Sequence, residues 1–489
     1  MKCFSLDRLS SVARFFLLAA TLLCTSTASL GQKKKMNVLF VIADDLTSTA
    51  ISSYGNKESI TPNIDKLAAE GIRYTHAYAQ FPVCGPSRAS FMFGYYPSAT
   101  KVYGYTSGRE AVGPAKLSWA QLFKNNGYYT ARVSKIFHMG TQDMMDGKDG
   151  TDDPESWTER FNNQDPQWNA EGEGELVQNN PYGKQPPKQG KNLMSIVKAE
   201  GEDADYGDGK TADKISQLLR EHKNKPFFIA AGFIRPHVPF TAPKKYFTPY
   251  PYKEVTMPPK VVGDWDDIPT NGINYVTSLN GLMSEEQEKK AVAGYYAATA
   301  YMDAQFGKIL KTLEEENLEQ NTIVIFTSDH GFHLGEHNFW MKVGLHEESA
   351  KTPLIIKVPG KTPAVCNSLV ELIDLYPTVA ALAGLRAPAG IQGKDISSTF
   401  NDATAEVRDF AFSVSNNLKE KGQAYLIRTK NWSYIQYGKN AIDGMELYNM
   451  DTDPFQYNNI ASLPRYQSIL KDMKGKLAQK LSAITKNDL

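Results

Sequence analysis

Residues 37–45 read Asn37-Val-Leu-Phe-Val-Ile-Ala-Asp44-Asp45: six apolar residues in succession, then two adjacent carboxylates. An apolar run with no polar alternation suits a strand covered on both faces, as in a parallel sheet held between layers of helices. Two later segments repeat the pattern, PFFIAAGF at 226–233 and TIVIFT at 322–327. Between them Ser284-Glu-Glu-Gln287 is a capping box that opens a helix running to about Leu313. Upstream, Thr61-Pro62 predicts a helix through Glu70, with Thr61 as N-cap, Pro62 in the first turn and Gly71 beyond the end. Another helix is predicted over 86–93, ending near Gly94. Strands alternating with helices predict a doubly wound α/β sheet.

Outward from this core the texture changes. Residues 141–209 are rich in Asp, Gly, Asn, Gln and Pro, and predict a long irregular insertion within a catalytic domain over 36–395. Residues 239–269, dense in Pro and Tyr, predict loop. Beyond 396, short strands near 408–414, 423–428 and 432–437 and a closing helix over 465–485 predict a small antiparallel α+β subdomain, 396–489. At the other end, Lys2, Arg8 and Arg14 precede an apolar run at 15–23 and small residues at 25–31. That layout predicts a secretory signal peptide over 1–31 and a secreted or periplasmic protein. The apolar run is too short to span a bilayer, and no later segment qualifies.

The 489-residue chain carries 54 basic and 54 acidic side chains, a formal net charge of zero. This excludes a molecule-wide basic field of the kind that holds nucleic acid, so an anionic ligand would need cations gathered locally. Four cysteines in this length exclude a disulfide scaffold, and the signal segment accounts for two of them. The remaining pair, Cys84 and Cys366, either bond to each other or are simply small buried residues, unless Cys84 has chemistry of its own.

Asp44 and Asp45 stand at the carboxyl end of the first strand, where ligands gather in open α/β sheets. Two ionised carboxylates about 4 Å apart repel by about 4 kcal/mol at an effective dielectric of roughly 20, so a cluster needs a cation or a shared proton. Asp329-His330 follows the 322–327 strand in the same way. The set is rich in hard oxygen and suits Ca²⁺, or Mg²⁺ in its place, better than zinc. His333 and His337 have helical spacing, but Gly331 and Gly335 argue against a helix and hence against a zinc pair. In Cys84-Gly-Pro-Ser-Arg88, Pro86 puts Cys84 at a helix N-terminus, where a plain thiol is expected to have a lowered pKa. Trp157, Trp168, Trp265 and the tyrosines of 246–252 are candidates for a sugar cleft, with ordinary packing the favoured reading.

The Cys84–Arg88 segment resembles the Cys-x-Pro-Ser-Arg signature of type I sulfatases, in which this cysteine is oxidised during export to formylglycine. The likeness continues through NVLFVIADDL (37–46), TPNIDKLAAEG (61–71), TSDHG (327–331), ELIDLYPTVAALAGL (371–385) and ELYNMDTDPFQYNNIA (446–461). Lys135-x-x-His138, GFIRPHVPF with His237, and LGEH before Lys342 resemble the iduronate-2-sulfatase branch. The resemblance implies an alkaline-phosphatase-like fold: a mixed, mostly parallel sheet flanked by helices, with a smaller C-terminal subdomain. It implies a formylglycine at position 84 that is both nucleophile and metal ligand, one hydroxyl of its hydrate attacking sulfur and the other expelling sulfate. Asp44, Asp45, Asp329 and His330 would complete the site of one divalent cation. Arg88 would buttress the formylglycine, while Lys135 and Lys342 would meet the sulfate oxygens. His138 would take the proton that starts the elimination, and His237 would protonate the leaving alcohol. The implied substrate is a sulfated glycan, and the implied partner a formylglycine-generating or anaerobic sulfatase-maturating enzyme. The alternatives are a phosphatase or phosphonate-ester hydrolase of the same superfamily, and a non-catalytic relative that binds sulfated polysaccharide.

Overall fold

The computed structural model describes residues 35–178, 194–416 and 422–484, so the signal-peptide expectation for 1–31 lies outside the described residues. Alternate residues of the strand Asn37–Asp44 feed two cores. Val38, Phe40 and Ile42 point to one face of the sheet, and Leu39, Val41 and Ala43 to the other. On the first face lie the helices Cys84–Phe93, Trp119–Asn125 and Leu375–Leu382. There Phe40 meets Trp119 edge-on with ring centroids 4.8 Å apart. On the second face lie Pro62–Glu70, Gly207–His222 and the long helix Glu285–Glu315. Ser284 and Gln287 close the predicted capping box reciprocally.

The main sheet has eight strands. In spatial order they are Ala364–Glu371, Ile72–Tyr78, Lys351–Lys357, Thr322–Ser328, Asn37–Asp44, Phe227–Pro236, Tyr129–Ser134 and Glu159–Phe161. All pairings are parallel except those of Lys351–Lys357, which runs against both neighbours. The reason is local. Residues 329–350 stay at the carboxyl edge and make no helical crossover, so the next strand must start from that edge and run back.

Several expectations need correction. The stretch 141–209 is not irregular throughout. It carries the helix Thr141–Asp146, the edge strand Glu159–Phe161 and the start of Gly207–His222. It also holds the strands Gly172–Leu176 and Ser195–Ala199, which join Phe240–Pro243 from the predicted loop 239–269 in a three-stranded sheet. Thr61 precedes its helix but does not cap it: its hydroxyl accepts from the amide of Ser52 at 3.1 Å. Cys84 and Cys366 are both buried and both free, so the disulfide is absent.

The C-terminal part is a four-stranded antiparallel sheet, Ala411–Asn416, Gln423–Arg428, Trp432–Tyr437 and Met445–Asn449, backed by the helix Gln467–Ile484. It is bonded to the main domain close to the site end of the sheet. Val414 donates its amide to Gln80 O at 2.9 Å, and the Ser415 hydroxyl donates to Val343 O at 2.7 Å. No helix among the described residues is long and apolar enough to cross a membrane.

Candidate active site

Four adjacent parallel strands deliver their carboxyl ends to one place. Asp44 and Asp45 come from the first strand, and Asp329 and His330 follow Thr322–Ser328. His237 follows Phe227–Pro236, and Lys135 and His138 follow Tyr129–Ser134. Gly232 makes the close approach possible, since a Cβ there would collide with the carbonyl of Lys135. The helix Cys84–Phe93, buried along its whole length, brings Cys84 and Arg88, and Lys342 follows the short strand Trp340–Met341. The backbone is turned hard to aim some of these groups. Asp45 has φ of 65°, and Lys342 sits between Met341 at 68° and Val343 at 89°, a conformation a β-branched residue rarely accepts.

Three carboxylates face three cations here. Arg88 spans two of them, Nη2 to Asp44 Oδ1 at 3.1 Å and Nε to Asp329 Oδ2 at 2.9 Å. Its Nη1 donates to the carbonyls of Lys135 and Ile136, at 2.5 and 3.0 Å. Lys135 Nζ meets Asp44 Oδ2 at 2.5 Å, and Lys342 Nζ meets Asp45 Oδ1 at 2.5 Å. Around Cys84 Sγ lie Lys342 Nζ at 3.1 Å, His330 Nε2 at 3.4 Å and Asp45 Oδ1 at 3.6 Å. The Ser87 hydroxyl donates to the carbonyl of Asp329, which ties the helix to the second metal-type segment.

Burial alone would push Asp44 up; Lys135, with His237 and Arg88, holds its carboxyl well below the usual range. Lys342 does the same for Asp45 against its burial. The Cys84 thiol goes the other way: burial first, then the Asp44 charge, raise it well above the ordinary value. The helix N-terminus therefore does not make it the low-pKa thiol expected, because desolvation and the charges of Asp44 and Asp329 outweigh the dipole and the nearby lysines. Burial lowers His138 to about 2 and His237 to about 4, Asp45 pulling His237 part of the way back.

The donor set fits a hard divalent cation. Asp45 Oδ2 is buried with no hydrogen-bond partner. His330 Nδ1 lies 2.8 Å from the carbonyl of Gly331, which can only accept, so Nε2 is the ring atom turned toward Asp45 Oδ1, at 3.3 Å. Asp45, Cys84, Asp329 and His330 offer ligand atoms mutually within 4.8 Å, and Asp44, Asp45, Cys84 and His237 form an overlapping group.

This cluster floors a cleft of about 650 Å³. Sequence reasoning missed most of its walls: Tyr105, Tyr275, Met139 and Asn416 come from separate loops and strand ends, with no spacing to link them. The aromatic candidates it named lie elsewhere. Trp157 is in the core with its indole N–H on Asp152 at 3.2 Å, Trp265 donates to His337 O at 2.7 Å, and Tyr246 and Tyr250 pack on Tyr301 and Tyr296. His337 and His346 are held by Asp264 and Glu446, at 3.0 and 2.9 Å, and no helix aligns His333 with His337.

Comparison with known proteins bears on the family and the fold. The Sulfatase family model matches residues 36–385, and the model described as N-sulphoglucosamine sulphohydrolase, C-terminal, matches 335–483. Iduronate 2-sulfatase of Mus musculus is 34% identical over 402 residues, covering 72% of this chain and 69% of its own. The structure of BT4656 in complex with its substrate D-glucosamine-2-N,6-O-disulfate superposes with a TM-score of 0.69 at 23% identity, over 93% of this chain and 99% of that one. Phosphonate monoester hydrolase of Agrobacterium radiobacter shares the fold with a TM-score of 0.73 at 20% identity, over 92% and 96% of the two chains. With a family model across most of its length and a relative this similar, the chain belongs to the sulfatase family and is a sulfuric ester hydrolase similar to iduronate 2-sulfatase.

Proposed function

We propose that the protein is an exported sulfatase of sulfated glycans that works through a formylglycine made from Cys84 and a divalent cation, Ca²⁺ or Mg²⁺. The observation that carries this reading is the setting of Cys84 Sγ: it lies between Lys342 Nζ at 3.1 Å, His330 Nε2 at 3.4 Å and Asp45 Oδ1 at 3.6 Å, on the floor of an open cleft. A buried thiol with a raised pKa has little use among carboxylates, whereas a hydroxyl nucleophile beside a cation does. Asp44, Asp45, Asp329 and His330 would hold the ion. When bound, ion and formylglycine hydrate supply polarisation of the sulfate oxygens and a hydroxyl nucleophile. The charged layout before the 15–23 apolar run supports export.

The chain's own residues divide the remaining work. Lys135 and Lys342 stay charged, burial being more than offset by Asp44 and by Asp45 respectively, and they are placed to take sulfate oxygens as charge builds. His237 donates Nδ1–H to Val238 O at 2.6 Å, which leaves Nε2 facing the cleft floor. An arriving sulfate ester brings negative charge beside that ring and raises its pKa, so His237 gains its proton with substrate and gives it to the leaving oxygen. His138, whose Nδ1 is buried with no hydrogen-bond partner, would take the proton that starts the elimination.

Mass analysis of the Cys84 peptide tests the modification: the expected species has oxygen in place of the thiol's sulfur and two hydrogens. Sulfate release from an aryl sulfate should far exceed phosphate or phosphonate release, and the reverse order would favour the phosphonate-hydrolase reading that shares this fold. Asp45→Asn should cost about 100-fold or more in activity and weaken Ca²⁺ binding in calorimetry; undiminished turnover after chelation and dialysis would contradict the cation. His237→Ala should lower kcat/KM about 10²–10³-fold on a sugar sulfate but less than about tenfold on an activated aryl sulfate, and equal losses on both would remove its role as acid.

A further inference from the structure

Gly85, the second residue of the Cys84–Arg88 segment, has no room for a side chain. A Cβ there would collide with the carbonyl oxygen of Gly104 and lie 3.2 Å from Cδ1 of Tyr105. The loop carrying Tyr105 is thus pressed onto the first turn of the nucleophile's helix. The Tyr105 ring also stacks on the imidazole of His138, centroids 4.3 Å apart and planes 23° from parallel. One face of the phenol is therefore used, yet the residue is 57% exposed while lining the cleft above Cys84. Its other face looks into the cleft.

Tyr275 lines the same cleft and is 43% exposed. It too is held in place: its amide donates to Asn274 Oδ1 at 2.8 Å, and Asn274 Nδ2 donates to Trp340 O at 2.9 Å, two residues before Lys342. The Tyr275 hydroxyl donates to Met341 Sδ at 3.6 Å. Two fixed, half-uncovered aromatic rings thus stand over a floor built for an anion. A pyranose ring has the matching chemistry, an apolar C–H face on a polar rim, and a sulfate substituent would carry its charge down to Lys135 and Lys342.

We infer that Tyr105 is the platform on which the sulfated sugar ring lies, with Tyr275 as its second aromatic contact, so that the pair selects pyranose sulfates over esters of flexible alcohols. This rests on the sulfatase reading above and adds the residues that grip the leaving group. Tyr105→Leu keeps bulk over Gly85 and His138 but has no π face. It is expected to raise KM for a monosaccharide sulfate about tenfold or more, with kcat within about threefold, and Tyr105→Phe is expected to restore KM to within about threefold. Tyr275→Leu should raise the same KM about threefold to fivefold. Hexyl sulfate, which cannot stack, should lose less than about twofold in kcat/KM, and competitive inhibition by inorganic sulfate, which needs only the charged floor, should also move less than about twofold.

An unchanged saccharide KM in Tyr105→Leu overturns the platform. So does an equal weakening of inorganic sulfate or hexyl sulfate, which would make Tyr105 a prop for His138 alone. Should protein shown by mass to be converted at residue 84 cleave no sulfate ester, the sulfatase reading fails, and the platform is then judged by calorimetric binding of the monosaccharide sulfate to Cys84→Ala with and without Tyr105→Leu. A tenfold weaker Kd supports it and an equal Kd overturns it.

Discussion

Replacing Cys84 with alanine is expected to abolish sulfate release, by about 10⁴-fold or more, while leaving the fold almost untouched. The side chain is small, and its polar neighbours have other partners: Lys342 stays on Asp45 at 2.5 Å, and His330 keeps its bond to Gly331 O at 2.8 Å. Stability should therefore change by less than about 1 kcal/mol, read as a thermal midpoint within about 1–2 °C of the unsubstituted protein. Initial rates on an aryl sulfate and a sugar sulfate, measured beside the melting curve, separate the two effects. Appreciable turnover by a folded Cys84→Ala protein would remove residue 84 from the chemistry.

Arg88→Leu should do the opposite, striking stability and activity together. The guanidinium is fully buried and answers to two carboxylates and two carbonyls: Asp44, Asp329, Lys135 O and Ile136 O. Leucine would leave Asp329 without its cation and Asp44 with only Lys135, deep in a low-dielectric site. Breaking a buried pair from one side costs about 3–5 kcal/mol, because the remaining charge is stranded. In a chain of this size that corresponds to a midpoint lower by roughly 5 °C. Sulfate release should fall by about 10³-fold or more, since the same carboxylates would hold the cation. Arg88→Lys keeps the charge but has one head group for four acceptors, so it should recover part of the stability and little of the activity. A normal melting curve for Arg88→Leu would mean that Asp44 and Asp329 find other partners.

The parts of the molecule legible in the sequence were those whose physics is local. The segments around Phe40, Ile229 and Ile325 have no polar alternation because helices cover both faces of the sheet, and Ser284 and Gln287 announce a helix start by three-residue spacing. The carboxylates at strand ends were visible too: an Asp pair after one apolar run can be a plain loop cap, but Asp329-His330 after a second run repeats the pattern. Lys135 and Lys342 were not visible by composition; a lysine looks solvated until its surroundings are known, and only the family resemblance singled them out. Tyr105 and Tyr275 carried no signal at all, because a wall assembled from loops has no period. The strands Gly172–Leu176 and Ser195–Ala199 were missed for a related reason: GEGEL has the glycine and charge of a loop, and its partner strands are supplied from a distance in sequence.

The complete burial of the Cys84–Phe93 helix bears on when the proposed conversion of Cys84 would have to occur. If residue 84 is converted as proposed, a catalyst that rewrites it would need to reach a side chain that in the folded protein is wound into a buried helix with sheet beneath it and the C-terminal strands bonded alongside. Such a conversion would then compete with the chain's own compaction. A copy that compacted first would keep its sulfur, so a host that makes the polypeptide quickly and the proposed converting enzyme sparingly would accumulate well-shaped, inert molecules. Specific activity per milligram would then report on the host's biosynthetic timing more than on the quality of the protein.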